Sequence, residues 1–125
     1  MTNQEQIVRD YLSKLGQHDL AGCLSYFRDD SVLEARAGTA RGLEAIERWH
    51  NERFGANLAI LSIDLVKQKG DETIVDFLMT SDRLAGRRME QLPVRLNVTI
   101  DDGKISTAHL KLRLDASLKS LIGLK

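Results

Sequence analysis

The stretch from Asn57 to Leu114 constrains the fold of this chain more than any other part of the sequence. Along it, apolar and polar residues alternate between three turn signals, which are Lys69-Gly70-Asp71, Ala85-Gly86-Arg87 and Asp101-Asp102-Gly103. Alternation with a period of two is typical of strands that bury one face, and short glycine-containing turns between such runs are typical of hairpins. We therefore predict an antiparallel meander of four strands, over residues 57–68, 72–84, 88–100 and 104–114.

The turns also predict which side chains share a face of the sheet. A three-residue loop at Asp101-Asp102-Gly103 places one apolar set, Val94, Leu96 and Val98, beside Leu110, Ala108 and Ser106. A three-residue turn at Lys69-Gly70-Asp71 adds further residues to that apolar face, namely Leu61, Ile63, Leu65, Val75, Phe77 and Met79. A two-residue turn there would instead flip the pairing and point Asp64 inwards. The opposite face carries polar residues, including Asp76, Arg95 and His109.

Composition excludes several classes of function. The 125 residues contain 18 basic and 18 acidic side chains, so no strong field favours nucleic acid or an anionic membrane. The single cysteine, Cys23, allows no internal disulfide, and no Cys/His cluster has the spacing of a metal site. No apolar run approaches the roughly 20 residues of a membrane span, and the N-terminus lacks a signal-peptide pattern. We expect one cytoplasmic domain over residues 1–125, without a metal or other cofactor.

The residues before the meander read mainly as helices. Apolar residues at helical spacing predict helices over Asn3–Leu15, Asp19–Phe27 and Leu43–Phe54, and Asp19 can cap the second. Between the second and third helices, Ser31–Arg36 reads as a short strand and Ala37–Gly42 as a loop. Helices followed by a sheet indicate an α+β fold, in which three N-terminal helices pack in the concave face of a curved, mostly antiparallel sheet.

The segment from Ile7 to Glu34 resembles the opening of the nuclear transport factor 2-like superfamily, and within it the SnoaL-like (polyketide-cyclase-like) and ketosteroid-isomerase-like proteins. Further marks of this resemblance are Asp19, Phe27-x-Asp29-Asp30, Gly42-x-x-Ala45-Ile46 and Asp102-Gly103-Lys104-Ile105. The resemblance covers about residues 4–115, leaving 116–125 as a C-terminal tail. It implies a cystatin-like cone with a pocket between the helices and the concave face, and a homodimer through the outer face of the sheet.

The resemblance also implies roles for particular residues. Tyr11 falls where ketosteroid isomerases keep the tyrosine that donates a hydrogen bond to the substrate oxyanion. The general-base aspartate of those enzymes falls at Ala35, with Glu34 one residue earlier. Their second oxyanion donor, a protonated aspartic acid, falls at Leu96 or, in another alignment, at Arg95. Since neither residue can play that part, we expect that this chain does not isomerise steroids by that mechanism.

The expected pocket is mostly apolar and suits a small hydrophobic molecule. The candidate ligand-binding residues are Trp49, Phe77, Met79, Leu96, Val98 and Leu110. Other apolar residues of the same faces could share this lining, namely Leu12, Leu33, Val94 and Ala108. All of these side chains are also what an amphipathic sheet packed on amphipathic helices needs as its core.

Three residues are candidates for catalysis, namely Tyr11, Glu34 and His109. In the predicted register, His109 stands opposite Arg95, and Asp76 pairs close to Arg95 across the next ladder. His109 could act as a base beside them if the polar face of the sheet turned inwards. Alternatively, those residues form a charge network on the outer face, within a dimer interface. The two remaining histidines, His18 and His50, are explained by surface positions.

Two classes of function stay open at this point. The first is an enzyme that acts on a small apolar molecule by proton transfer, such as a cyclase, isomerase, dehydratase or hydrolase. In it, Tyr11 would orient the substrate and Glu34 or His109 would be the base. The second is a non-catalytic module for ligand binding or dimerisation. A carboxylate near the Tyr11 hydroxyl would distinguish them, because a general base has to share the substrate with the oxyanion donor.

Overall fold

A computed structural model describes residues 3–36, 38–81 and 91–113 of the chain. Within them lie three helices and six strands, in the order α1 (Asn3–Gly16), α2 (Leu20–Leu24), β1 (Phe27–Ala35), β2 (Gly38–Arg41), α3 (Leu43–Gly55), β3 (Ala59–Lys69), β4 (Glu72–Thr80), β5 (Leu92–Asp101) and β6 (Lys104–Leu112). The predicted turn at Ala85-Gly86-Arg87 and the predicted tail over 116–125 lie outside the described residues. None of the helices in the described part is long and apolar enough to cross a membrane.

The described strands form one curved sheet in the order β2-β1-β6-β5-β4-β3. Strands β3 to β6 make the predicted antiparallel meander, and β1 pairs in parallel with β6. The α+β fold with helices on one face of a mostly antiparallel sheet is therefore confirmed.

Two predictions about the segment between α2 and α3 were wrong. The predicted loop contains β2, which pairs antiparallel with β1 so that Thr39 lies opposite Glu34. Strand β1 also begins at Phe27, which had been assigned to the second helix. The backbone explains this early start, because the Ile105 amide donates a hydrogen bond of 2.6 Å to the Tyr26 carbonyl and Phe27 pairs with Ile105.

The helices pack their apolar stripes against the inner face of the sheet. On α1 the buried stripe has helical spacing and consists of Val8, Tyr11, Leu12 and Leu15. Helix α3 buries Ile46 and His50, and α2 buries Cys23. The Asp19 carboxylate caps α2, as predicted, by accepting a hydrogen bond of 2.9 Å from the Gly22 amide. From the sheet, the core receives residues that alternate along the strands, including Leu33, Val75, Phe77, Val94, Leu96, Val98 and Ala108.

The first hairpin of the meander has a tighter turn than predicted. Lys69 pairs directly with Glu72, which leaves a two-residue turn with Gly70 at a φ of 65°. Two irregularities in β3, between Ile60 and Ser62 and between Ile63 and Leu65, then change the direction of its side chains.

The predicted apolar side of β3 was wrong in part as a consequence. Leu61 and Leu65 are 48% and 39% exposed, and Leu65 pairs with Asp76 on the outer face. Ile63 pairs with Phe77 and so keeps the predicted inner side, at 37% exposure. Asp64 does not point inwards either, since its side chain is 38% exposed. The two bulges therefore determine which face each β3 side chain occupies, and neither turn type alone predicts that arrangement.

The last hairpin has the predicted faces but different partners. Asp101 pairs with Lys104, so the turn has two residues, and a bulge between Thr99 and Ile100 shifts the ladder further. Val98 therefore lies opposite Ala108 rather than Ser106, a shift of two residues that preserves which face each side chain occupies.

Candidate functional site

A small cavity lies between α1, α3 and the inner face of the sheet. The surface that borders it is almost wholly apolar. The lining residues are Tyr11, Leu15, Leu33, Trp49, Arg53, Leu58, Phe77, Met79, Leu96 and Leu110. The cavity has a volume of about 20 Å³, which is room for about one water molecule. A larger guest must therefore displace side chains.

Most of the predicted ligand-binding residues line the cavity. Trp49, Phe77, Met79, Leu96 and Leu110 line it. Val98 is fully buried in the core and does not line it. The predictions missed three lining residues, which are Leu15, Leu58 and Arg53. Arg53 was detectable, because it lies four residues after Trp49 and therefore on the same face of α3.

Tyr11 carries the one phenol of the cavity wall. Its side chain is 2% exposed, and its ring packs edge-on against Phe27 with centroids 5.5 Å apart. The Tyr11 hydroxyl lies 2.8 Å from Nε2 of His50. Burial, with a smaller effect of Cys23, raises the pKa of Tyr11 well above its usual value, so this phenol is neutral at physiological pH.

His50 was predicted to lie on the surface, and this prediction was wrong. Its side chain is fully buried, and its Nδ1 lies 2.7 Å from the Ile46 carbonyl one turn earlier in α3. A carbonyl can only accept, so Nδ1 carries the hydrogen, and in the neutral ring Nε2 accepts the Tyr11 proton. Burial lowers the pKa of His50, although the hydrogen bond to Ile46 opposes this. His18, the other predicted surface histidine, is exposed.

The structure does not bring the three predicted catalytic residues together. Glu34 and His109 pair across β1 and β6, with His109 Nε2 4.0 Å from a Glu34 oxygen, and both side chains are half-exposed. Their strand neighbours Leu33 and Ala108 are buried in the core, so Glu34 and His109 point to the outer face. Among the described residues, no aspartate or glutamate lines the cavity that Tyr11 borders.

Sequence comparison decides the family. The profile of the SnoaL-like domain matches residues 8–108. The chain belongs to the SnoaL-like domain family. The match runs from α1 into β6 and so includes the helices and strands that enclose the cavity. No curated protein matches the sequence.

Solved structures with the fold of this SnoaL-like domain agree with that assignment. A protein of unknown function with a cystatin-like fold from Xanthomonas campestris has 20% identity and a TM-score of 0.78, covering 90% of this chain and 92% of that one. A candidate polyketide cyclase from Sinorhizobium meliloti has 21% identity and a TM-score of 0.74, covering 89% and 100%. TerC, co-crystallised with polyporic acid, has 14% identity and a TM-score of 0.73, covering 98% and 99%. These likenesses confirm the cystatin-like, nuclear transport factor 2-like fold.

The outer face of the SnoaL-like sheet carries a charge network centred on Asp76. Arg95 donates two hydrogen bonds to the Asp76 carboxylate, at 2.7 and 2.9 Å, and Arg113 lies 3.5 Å from it. The hydrogen bonds from Arg95 are the main reason that the pKa of Asp76 is lowered, although burial opposes them. The predicted pairing of Asp76 with Arg95 is confirmed. The predicted position of His109 opposite Arg95 was wrong, because the two-residue turn and the bulge of the last hairpin together place Lys111 there.

The buried thiol of Cys23 is not a second reactive centre. Burial is the main reason that the pKa of the Cys23 thiol is raised to about 12, so the thiol stays protonated and unreactive. Within residues 3–36, 38–81 and 91–113, no three His, Cys, Asp or Glu side chains are close enough to hold a metal ion.

Proposed function

We propose that this protein binds a small, mainly apolar molecule in the cavity between α1, α3 and the sheet. The observation that carries the proposal is the cavity itself, whose walls are apolar and which sits beside a buried tyrosine. Apolar walls with a few well-placed polar groups are typical of small-molecule sites. The co-crystallisation of TerC, a structure of the same fold, with polyporic acid supports this proposal.

A variant that fills the cavity tests the proposal. Leu110 lines the cavity on β6, and Leu112, two residues later, shares its face of the strand but not the lining. Leu110→Phe should therefore exclude a guest that Leu112→Phe still admits. Thermal shifts with 2-naphthol and 2-tetralone, representing apolar phenols and ketones, report the binding.

The expected shifts are large enough to measure. A probe at a hundredfold excess over its dissociation constant stabilises the fold by about 2.7 kcal/mol. For a domain of 125 residues this corresponds to about 10 °C. The proposal fails if neither probe shifts the wild type, or if Leu110→Phe responds as strongly as the wild type.

The hydrogen bond between Tyr11 and His50 favours a second function, proton-transfer catalysis on the bound molecule. A ligand proton would move to the Tyr11 oxygen while the Tyr11 proton moves to Nε2 of His50. The products are an imidazolium and an anionic ligand, so the protons balance. Burial opposes the imidazolium, but an anion formed in the same low-dielectric site would stabilise it. This chemistry would suit an isomerase, cyclase or dehydratase.

The two functions differ in a measurable rate. The α-protons of 2-tetralone exchange with deuterium in D₂O, and NMR follows the exchange with and without the protein. A catalyst should accelerate the exchange, and Tyr11→Phe and His50→Gln should each abolish the acceleration. Binding without any acceleration would identify a non-catalytic ligand-binding module. Glu34 and His109 stay predicted bases, but their positions on the outer face favour His50 in that role.

We also propose a homodimer that uses the outer face of the sheet. Exposed apolar side chains on the edge strand β3, namely Leu61 and Leu65, support this proposal, because a sheet face with exposed apolar side chains often marks an interface. Leu65→Glu should convert a dimer to a monomer in sedimentation-velocity experiments. A wild-type protein that is monomeric at high micromolar concentration would contradict the proposal.

A further inference from the structure

Two hydrogen-bond donors beside the cavity lack partners. Nε1 of Trp49 and Nε of Arg53 are both buried, and neither makes a hydrogen bond to any residue in the described part of the chain. Both side chains line the cavity, one turn apart on α3. The Arg53 guanidinium carbon lies 5.2 Å from the centroid of the Trp49 ring, so the two groups stack as one unit.

Unpartnered donors of this kind are uncommon in folded proteins. More than about 90% of buried backbone polar groups, and the large majority of buried side-chain polar atoms, have a partner, because an unsatisfied donor loses its hydration without compensation. Trp49 has a single polar atom, so no other contact of its side chain can compensate. Two such donors therefore lie at one cavity wall, where a hydrogen-bond acceptor could complete both.

The charge of Arg53 also lacks a counterpart at the cavity. Within the described part of the chain its ion-pair partner is Glu52, whose carboxylate lies 3.9 Å from Nη2, beyond hydrogen-bond distance, and whose side chain is 70% exposed. A pair of this kind contributes little. Since no acidic residue of the described chain lines the cavity, an anionic guest would meet a cation and no competing carboxylate.

We propose that the ligand is an organic acid, with an apolar body in the cavity and an anionic oxygen at Arg53 and Trp49. This inference rests on the proposed binding function and specifies the class of molecule. The guanidinium supplies charge and a planar set of donors that suits a carboxylate or an ionised enol, and the indole N–H supplies one further donor. Tyr11 and the other lining residues contact the apolar body.

A matched pair of probes tests the role of charge. 2-Naphthoic acid and 2-naphthamide have nearly the same shape, but only the acid is ionised at pH 7. Isothermal titration calorimetry should give the acid at least a tenfold lower dissociation constant than the amide, since hydrogen bonds to charged groups contribute about twice as much as neutral ones. The preference should also shrink as sodium chloride is raised.

Variants then assign the preference to the two donors. Arg53→Met should remove most of the preference for the acid, and Arg53→Lys should keep part of it, because the charge remains while the planar geometry is lost. Trp49→Phe keeps an aromatic surface and removes the donor, so it should weaken binding of the acid by several-fold and by more than that of the amide, because hydrogen bonds to charged groups are the stronger ones. Arg48→Met is the matched control, since Arg48 lies on the same helix with its side chain 66% exposed and should change neither.

The outcomes separate this inference from the binding function. If neither probe binds, and 2-naphthol and 2-tetralone also fail, the binding function is lost. If acid and amide bind equally, or if the preference for the acid survives both Arg53→Met and Trp49→Phe, binding stands and the acid-specific site is refuted. A loss of the preference in Arg53→Met, with the amide still bound, supports the inference and shows that this variant remains folded.

Discussion

Replacing Tyr11 with phenylalanine is the sharpest test of the buried hydrogen bond to His50. The substitution removes one oxygen atom and leaves the ring in its edge-on contacts with Phe27 and Tyr26. It also leaves Nε2 of His50, in a side chain without solvent exposure, with no donor from Tyr11. We expect Tyr11→Phe to destabilise the protein, although a phenylalanine ring is the more apolar of the two.

The magnitude follows from the cost of an unsatisfied buried acceptor. That cost is about 1–3 kcal/mol. Unfolding entropy near 60 °C is about 2.1 cal/mol/K per residue, which for 125 residues gives about 0.26 kcal/mol/K. The melting temperature should therefore fall by about 4–11 °C. Urea denaturation should show a lower midpoint with an unchanged slope, because the area exposed on unfolding is almost the same.

A control variant and a double variant isolate the hydrogen bond. Tyr26→Phe removes a hydroxyl from a partly buried ring that touches Tyr11, and should change stability by less than about 0.5 kcal/mol. In Tyr11→Phe/His50→Leu both polar partners are replaced by apolar groups, so the loss should be smaller than the sum of the single losses by about 0.5–3 kcal/mol. If Tyr11→Phe costs no more than Tyr26→Phe and the cycle is additive, the hydrogen bond does not stabilise the fold.

Three further predictions concern titration and capping. Burial lowers the pKa of folded His50, so on acidification the unfolded chain takes up this proton before the folded protein does. The free energy of unfolding of the wild type should therefore fall as pH drops below about 6.5. In urea denaturation, His50→Gln should show a smaller decrease in this free energy between pH 7 and pH 5. Hydrogen bonds from Arg95 lower the pKa of Asp76 in the folded protein. The stabilisation from this pair is therefore complete above the unfolded pKa of about 3.9 and is lost as pH falls through the lower folded pKa. Asp76→Asn should cost about 1–3 kcal/mol at pH 7 and should lose less stability on acidification than the wild type. Asp19→Ala removes the cap of α2 and should cost about 1 kcal/mol in urea denaturation, whereas Asp19→Asn should recover most of it.

Features that depend on residues close together in the sequence could be predicted from the sequence. The α1 stripe and the Asp19 cap depend on residues within one or two turns, and the structure contains both. The alternation along β4 to β6 predicted the faces because a two-residue shift in register leaves them unchanged. The predictions for Leu61 and Leu65 on β3 failed because its two bulges interrupt the alternation without a glycine or proline at the affected positions.

Long-range contacts could not be predicted in the same way. Strand β2 is four residues long and is stabilised by pairing with β1, so its sequence has no run that distinguishes it from a loop. His50 is buried because Tyr11, 39 residues earlier, supplies its partner. One local signal for His50 did exist, since it lies four residues after Ile46 on the buried stripe of α3, but a histidine in a helix of mixed composition is more often exposed.

Helix α3 supplies the polar chemistry on its side of the cavity. His50 points into the core toward Tyr11, while Trp49 and Arg53 lie on an adjacent stripe of the same helix. The start of α3 is fixed by Gly42, whose φ of 86° favours glycine and whose amide donates a hydrogen bond of 2.8 Å to the Ser31 carbonyl of β1. His50 and Arg53 lie three residues apart on this helix, so α3 fixes the spacing between the proposed anion-binding group and the proposed final proton acceptor, while Tyr11 comes from α1. In the proposed site, an acid bound at Arg53 would therefore lie at a defined distance from His50, and proton transfer depends on such positioning.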